Sequence, residues 1–228
     1  MRCPFDQGVA DWAAAASAAM QQIDTTARRH GRTWFVGVDA LANDASGAVG
    51  GVALPFAGMC ATWHRAQVSI IYPDYPQQDA GESDAAHRFR RNRDAAHMDG
   101  LLPEGPDKRR HLREPHGFIL GIALDQATAS PLVVWEGSHV IMQRAFAAAF
   151  EGVDPRSYGE VDVTDVYQAA RRAVFDSCAR VTVHSGLGEA VLLHRHLIHG
   201  VAPWADDTAD RSRAIAYFRP LIEPARWL

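Results

Sequence analysis

Several features that would assign this chain to a common class are missing from its 228 residues. Its three cysteines, at positions 3, 60 and 178, are odd in number and far apart, so we expect free thiols rather than a disulfide framework or a zinc ribbon. The formal net charge of −4 gives no basic surface for nucleic acid. No apolar run approaches the roughly 18–20 residues that span a bilayer, and the alanine-rich N-terminus lacks a signal-type apolar region. We therefore expect a cytoplasmic protein with neither a membrane nor a nucleic-acid partner.

Internal repeats, low-complexity linkers and breaks in composition are also missing from the sequence. Hydrophobic residues make up 47% of the chain and charged residues 22%, which is typical of a globular protein. We expect a single domain over 1–228, with an N-terminal helical segment over 1–31 and a core over about 66–220.

Strand patterns dominate the chain after about residue 60. Hydrophobic spacing predicts helices over 8–30, 139–150 and 164–178, strands over 33–41, 66–73, 116–124, 131–137 and 213–220, a strand–turn–strand unit over 181–203, and a polar loop over 74–94. This order favours a mainly β fold with flanking helices, namely a double-stranded β-helix, or jelly roll, of the cupin-like type.

The first chemical motif is the tripeptide His97-Met98-Asp99. On an extended backbone, residues two apart point to the same side, so the imidazole and the carboxylate can reach one metal ion. His-x-Asp alone is a weak signal, because such tripeptides also occur on ordinary polar loops.

The second motif is the stretch 188–200, in which a glycine turn and an apolar strand lead to His199. Together with His97 and Asp99, this histidine completes two imidazoles and one carboxylate, the facial triad of non-haem iron(II) oxygenases. Such a triad leaves three coordination positions open, whereas structural zinc sites favour a closed tetrahedron.

A third motif is the pair Arg211 and Arg213, which precedes and begins the last predicted strand. A guanidinium group binds a carboxylate through two parallel hydrogen bonds. The two residues share strand parity, so either could face the cavity, and a solvated arginine at the end of a strand is an equally ordinary interpretation.

In this order, the three motifs resemble those of the phytanoyl-CoA dioxygenase family of iron(II)- and 2-oxoglutarate-dependent oxygenases. The segments 130–139 and 188–200 are also similar to that family, and the resemblance covers roughly 66–220. It implies Fe(II), 2-oxoglutarate and O2 as cofactor and co-substrates, with oxidation of a small molecule and decarboxylation of 2-oxoglutarate to succinate. The residues matching the metal ligands are His97, Asp99 and His199; Arg211 matches the arginine that binds the distal carboxylate of 2-oxoglutarate, with Arg213 as its rival.

Two positions depart from the family's pattern. Val201 stands where a small hydroxyl residue is common, which puts one hydrogen bond to the co-substrate in doubt. Glu136 stands where proline is commoner. The presence of Asp99 favours hydroxylation or a related oxidation over the halogenation carried out by relatives that lack this carboxylate.

Other interpretations of the sequence remain open. His194 and His196 form a His-x-His pair that would suit a cupin-like metal-dependent hydrolase or isomerase, and a catalytically silent binding module is a third class. His116 opens an apolar strand and could face the cavity. Eight basic residues flank the His-x-Asp tripeptide and indicate either an anionic substrate or a solvated surface: Arg88, Arg90, Arg91, Arg93, Lys108, Arg109, Arg110 and Arg113. Three residues of the 66–73 strand could line the co-substrate pocket: Gln67, Ser69 and Tyr72.

Overall fold

The structure is a computed structural model that describes residues 1–205 and 210–228. The strands in these ranges are β1 (Arg2–Cys3), β2 (Arg28–Arg29), β3 (Trp34–Gly37), β4 (Gln67–Ile71), β5 (Leu101–Glu104), β6 (Arg109–Leu112), β7 (Phe118–Ala123), β8 (Leu132–Trp135), β9 (Arg180–Val183), β10 (Ala190–His194), β11 (His199–Val201) and β12 (Arg213–Phe218). The α-helices are α1 (Gln7–Met20), α2 (Asp84–Asn92), α3 (Ser138–Ala149) and α4 (Thr164–Ser177). Within the described ranges, no helix is both long and apolar enough to cross a membrane.

Two antiparallel sheets form the framework. The larger sheet has the strand order β1-β10-β7-β12-β4-β3-β2, and the smaller has the order β11-β8-β9. An apolar cluster joins them: Ile119, Leu193 and Ile215 of the larger sheet pack with Leu132 of the smaller one. This arrangement confirms the mainly β jelly roll that the sequence predicts.

Strand β12 lies at the centre of the larger sheet, hydrogen-bonded to β4 on one side and β7 on the other. Its side chains alternate between two environments, as the pleat requires. Ile215 and Tyr217 belong to the cluster between the sheets, whereas Ala214, Ala216 and Phe218 face the opposite way. Residues of the same parity as Ile215 therefore face the interior of the jelly roll.

Helix α1 covers the outer face of the larger sheet. The Asp6 carboxylate accepts a hydrogen bond from the Val9 backbone at 3.0 Å and caps the helix. Trp12 is fully buried and donates from Nε1 to the Gly47 carbonyl at 2.8 Å. The helix is shorter than the predicted 8–30, because the chain turns after Met20 and then pairs as β2 with β3.

The predicted loop over 74–94 was wrong over α2. The Ser83 hydroxyl accepts from the Ala86 backbone at 3.3 Å, and the helix has Asp84 in its first turn and Arg90 and Arg91 in its last. Acidic side chains in the first turn and basic side chains in the last turn both interact favourably with the helix dipole and stabilise the helix. Phe89 is the only large apolar residue of α2 and packs against the core only partly buried, so the helix lacks the repeated apolar positions by which helices are recognised in a sequence.

Candidate metal centre

Two neighbouring extended segments carry the two histidines of the predicted triad. His97 and His199 form an antiparallel bridge, in which each backbone N–H donates to the other residue's carbonyl, at 2.8 Å and 3.0 Å. His199 begins β11 and is paired with Val134 of β8 on its other side. The ladder of the smaller sheet therefore sets the position of both imidazoles.

Asp99 follows two residues after His97 and brings its carboxylate between the two rings. Its Oδ1 lies 3.0 Å from His97 Nε2, and its Oδ2 lies 3.8 Å from His199 Nε2. Met98 points away and is buried in the apolar cluster behind the site. One ligand atom from each of the three residues lies within 4.8 Å of the others, and in residues 1–205 and 210–228 no other group meets this criterion.

Backbone carbonyls orient both imidazole rings. The Nδ1 atom of His97 is 3.0 Å from the Ala95 carbonyl, and that of His199 is 3.0 Å from the Leu197 carbonyl. A carbonyl only accepts, so each Nδ1 carries the proton and each Nε2 is left with its lone pair. A hydrogen bond from the non-ligating nitrogen is the usual support of a metal-bound histidine.

Burial differs across the three side chains and affects their protonation. Burial lowers the pKa of His199 to about 4, despite the opposing influence of the Asp99 carboxylate. Burial raises the pKa of Asp99, but Arg219 and the two imidazoles outweigh it and hold this pKa well below its usual range. At neutral pH the site thus offers a neutral imidazole at His199 and an ionised carboxylate. Its exposed side is at His97, whose side chain is 45% accessible, against 8% for His199.

The three donors fit a metal ion with open positions. Two cis ligands of an octahedral ion with bonds near 2.1 Å lie about 3 Å apart. His97 Nε2 and Asp99 Oδ1 are separated by 3.0 Å. Two nitrogens and one carboxylate oxygen on one side of an ion are the facial donor set that suits non-haem iron(II).

Gly200 allows the close approach between the two ligand-bearing segments. A Cβ atom at this position would lie 2.1 Å from the Asp94 carbonyl oxygen. The backbone N–H of Val201 donates to the same oxygen at 2.9 Å. The Asp94 side chain is held in turn by Arg180, with two hydrogen bonds of 2.7 Å and 2.8 Å. A glycine after the distal histidine is therefore a steric requirement of this site.

The two arginines proposed for the co-substrate occupy different surroundings. Arg211 is exposed at a bend before β12, whereas Arg213 begins that strand and is only 5% accessible. Arg213 has the inward parity of Ile215, and its side chain makes no hydrogen bond or ion pair with any described residue. Residues 206–209, between His199 and these arginines in the sequence, lie outside the described residues.

Arg219, which the sequence reasoning missed, contacts the metal-binding carboxylate directly. Its Nε donates to Asp99 Oδ2, and its Nη1 donates to Gln67 Oε1 at 3.1 Å. Strand parity could have indicated this position, since 213, 215, 217 and 219 alternate onto one face.

Of the three residues suggested on the strand now seen as β4, two lie on the inner face. Gln67 contacts Arg219, and Ser69 accepts a hydrogen bond from Trp34 Nε1 at 2.9 Å. The suggestion was wrong for Tyr72, which has the opposite parity, packs against the outer cluster and lies beneath the Arg28 guanidinium.

His116 is buried close to the site, and its Nδ1 donates to the Arg219 carbonyl at 3.2 Å. The His-x-His pair lies elsewhere. His194 Nδ1 accepts from the backbone N–H of His196, and the His196 ring packs edge-on against Trp227 at 4.4 Å between ring centroids. Among the described residues, neither member of this pair contacts His97 or Asp99.

Several of the basic residues around the His-x-Asp tripeptide are engaged with protein groups. Arg109 pairs with Asp162, Arg113 with Glu104 and Arg90 with Glu82. Arg110 donates to the Leu101 carbonyl at 2.8 Å. Arg93 lies over the Phe175 ring, 4.9 Å from its centroid, so five of the eight basic side chains have local structural partners.

The chain matches no family model and no curated protein. Among solved structures, it is similar to EctD from S. alaskensis with bound Fe, at 16% identity and a TM-score of 0.44 over 98% of this chain and 75% of that one. It is also similar to SnoK, a non-heme alpha ketoglutarate dependent carbocyclase from nogalamycin biosynthesis, at 16% identity and a TM-score of 0.45 over 96% and 79%. A third similar structure is that of EvdMO1, with 14% identity and a TM-score of 0.42 over 94% of this chain and 45% of that one.

Proposed function

We propose that the protein is an iron(II)- and 2-oxoglutarate-dependent oxygenase that oxidises a small molecule. The observation that carries this proposal is the convergence of His97 Nε2, Asp99 and His199 Nε2, with both Nδ1 protons donated to backbone carbonyls. A neutral imidazole at His199, an ionised carboxylate at Asp99 and a solvent-accessible side at His97 are what a facial iron site requires.

Iron with 2-oxoglutarate and O2 would supply oxidising chemistry at this centre, with release of succinate and carbon dioxide. The protein's part is to hold the metal through His97, Asp99 and His199, to bind the co-substrate, and to limit the access of water. The resemblance of the sequence to phytanoyl-CoA dioxygenases supports this assignment. It also supports hydroxylation, because the metal-binding carboxylate is retained as Asp99.

Of the two candidate arginines, we propose Arg213 for the distal carboxylate of 2-oxoglutarate. Arg213 is buried on the inner face of β12, and its guanidinium makes no hydrogen bond or ion pair with any residue of 1–205 or 210–228. A bound carboxylate would therefore offset the cost of burying this charge. Six residues further along the same face, Arg219 contacts Asp99. Six strand steps span about 20 Å, which leaves room for the metal and a small dicarboxylic acid between the two arginine backbones.

A cupin-like hydrolase built on His194 and His196 has less support. Those residues lie apart from the triad, and His196 is fully buried against aromatic rings. The basic residues around the tripeptide still suggest an anionic substrate, but two of them, Arg109 and Arg113, already have acidic partners. An anionic substrate predicts that kcat/KM falls as salt is added, since exposed charges are screened over about 8–10 Å.

Iron binding by ligand variants tests the proposed function. We expect His97→Ala and His199→Ala to abolish binding of one Fe(II) per chain in anaerobic titration, because each removes an inner-sphere bond. His184→Ala is the matched control, since this histidine is exposed and lies outside the triad. If both triad variants bind Fe(II) as tightly as His184→Ala does, the assignment of the metal site is excluded.

A further inference from the structure

We infer that Arg219 is a positioning residue of the metal centre, which holds Asp99 Oδ2 so that only Oδ1 is presented to the ion. This inference rests on the proposed function and adds a residue to it. The two oxygens of the Asp99 carboxylate have different contacts. Oδ1 lies 3.0 Å from His97 Nε2, whereas Oδ2 accepts a hydrogen bond from Arg219 Nε.

The position of Arg219 is itself fixed from three directions. Its Nη1 donates to Gln67 Oε1 at 3.1 Å, and its backbone N–H donates to His64 Nε2 at 2.7 Å. Its carbonyl accepts from His116 Nδ1 at 3.2 Å. The His64 ring is set in turn by Nδ1, which donates to the Arg65 carbonyl at 2.6 Å. Contacts to both backbone and side chain leave the guanidinium little freedom to follow a moving carboxylate.

A fixed carboxylate matters because iron then meets its donors already in place. Arg219 holds Oδ2, so Oδ1 stays 3.0 Å from His97 Nε2 and cannot turn away about the bonds of the Asp99 side chain. The ion binds without the cost of first ordering this side chain, and three positions remain, two for a chelating 2-oxo acid and one for O2. Outer-shell partners of this kind typically contribute 10–100-fold to metal affinity or activity.

The change in Fe(II) affinity on replacing Arg219 distinguishes positioning from a purely electrostatic effect, since the two predict changes of opposite sign. Arg219→Met removes a cation beside a divalent ion, so Coulomb repulsion alone predicts tighter binding. Positioning predicts weaker binding, by roughly 10–100-fold. Arg219→Lys keeps the charge and one donor, and should recover part of the loss. Arg156→Met is the control for removing an arginine, since the Arg156 side chain is 91% accessible.

The experiment is an anaerobic titration of each variant with Fe(II), followed by titration of the iron-saturated protein with 2-oxoglutarate. We expect Arg219→Met to weaken both steps, with Arg219→Lys intermediate and Arg156→Met equal to the wild type. If Arg219→Met does not fold, Gln67→Ala replaces it, because it frees Nη1 while leaving the ion pair; it should weaken Fe(II) binding to a smaller extent.

Three results would overturn the inference: unchanged or tighter Fe(II) binding by Arg219→Met; Arg219→Lys no better than Arg219→Met; or, where Arg219→Met fails to fold, wild-type Fe(II) binding by Gln67→Ala. Failure of the wild-type protein to bind Fe(II) would instead remove the proposed function, and this inference with it. A wild type that binds both ligands, beside an Arg219→Met variant that binds them equally well, would contradict the positioning role alone.

Discussion

The substitution Gly200→Ala perturbs the metal centre without touching a ligand. The added methyl group would stand 2.1 Å from the Asp94 carbonyl oxygen and 3.2 Å from the Ala96 nitrogen. Real Cβ atoms essentially never approach closer than 3.0 Å, so the two segments must separate by at least 0.9 Å. Both contacts are backbone atoms, and no flexible side chain can move aside to relieve them.

This separation acts on the bridge between His97 and His199. The backbone hydrogen bonds of 2.8 Å and 3.0 Å that pair these residues lie next to the clash. Arg180 resists the movement because it holds the Asp94 side chain through two hydrogen bonds. Overpacking of this kind costs about 1–3 kcal/mol of stability. A displacement of about 1 Å in a catalytic constellation can reduce turnover about 100-fold.

Anaerobic Fe(II) titration and thermal unfolding of Gly200→Ala measure both effects. The matched control is Gly58→Ala, since a Cβ at Gly58 meets nothing within 4 Å and its φ is not positive. We expect the control to behave as the wild type, while Gly200→Ala loses stability and iron affinity together. Iron affinity of Gly200→Ala equal to that of Gly58→Ala would refute the steric argument.

Three further predictions concern individual side chains. Arg213→Ala should raise the KM for 2-oxoglutarate by tenfold to a few hundredfold, and Arg211→Ala should leave it nearly unchanged; steady-state kinetics with the reverse order would contradict our choice. Asp99→Ala breaks a buried ion pair and should cost about 3–5 kcal/mol in chemical unfolding of the metal-free protein, whereas His97→Ala should cost much less. Burial lowers the pKa of His196 from 6.5 to about 3, so only the unfolded chain takes up this proton as pH falls between these values. His196 should therefore contribute a decline of up to about 1.4 kcal/mol per pH unit to the free energy of unfolding below pH 6.5, and His196→Leu should remove this contribution from the slope.

The sequence predicted the fold where periodicity is strong. The strands around 67–71, 118–123 and 213–218 and the helices α3 and α4 lie where apolar spacing indicated them. It failed at α2, because Phe89 is the only large apolar residue of that helix, which is defined mainly by its cap and its charges. It overextended α1, because alanine-rich composition does not mark where the chain turns to pair as β2.

For the site, two short motifs were enough to suggest which side chains converge. His97 and Asp99 are two apart on an extended segment, and His199 pairs with the first of them across the sheet. Strand parity indicates the face on which Arg219 lies, but the sequence could not reveal its contact with Asp99, because that contact joins residues 120 positions apart. Tyr72 was misplaced because an odd step along a strand reverses the face on which a side chain lies.

Anaerobic titration of the iron-loaded protein with 2-oxoglutarate tests the central claim most directly, since it requires no knowledge of the prime substrate. Chelation of iron(II) by a 2-oxo acid gives a visible charge-transfer absorption. We predict that this absorption saturates at one 2-oxoglutarate per chain in the wild type and is missing from His199→Ala. The account would be contradicted if the wild type bound iron without giving this absorption, or if His199→Ala gave the same absorption as the wild type.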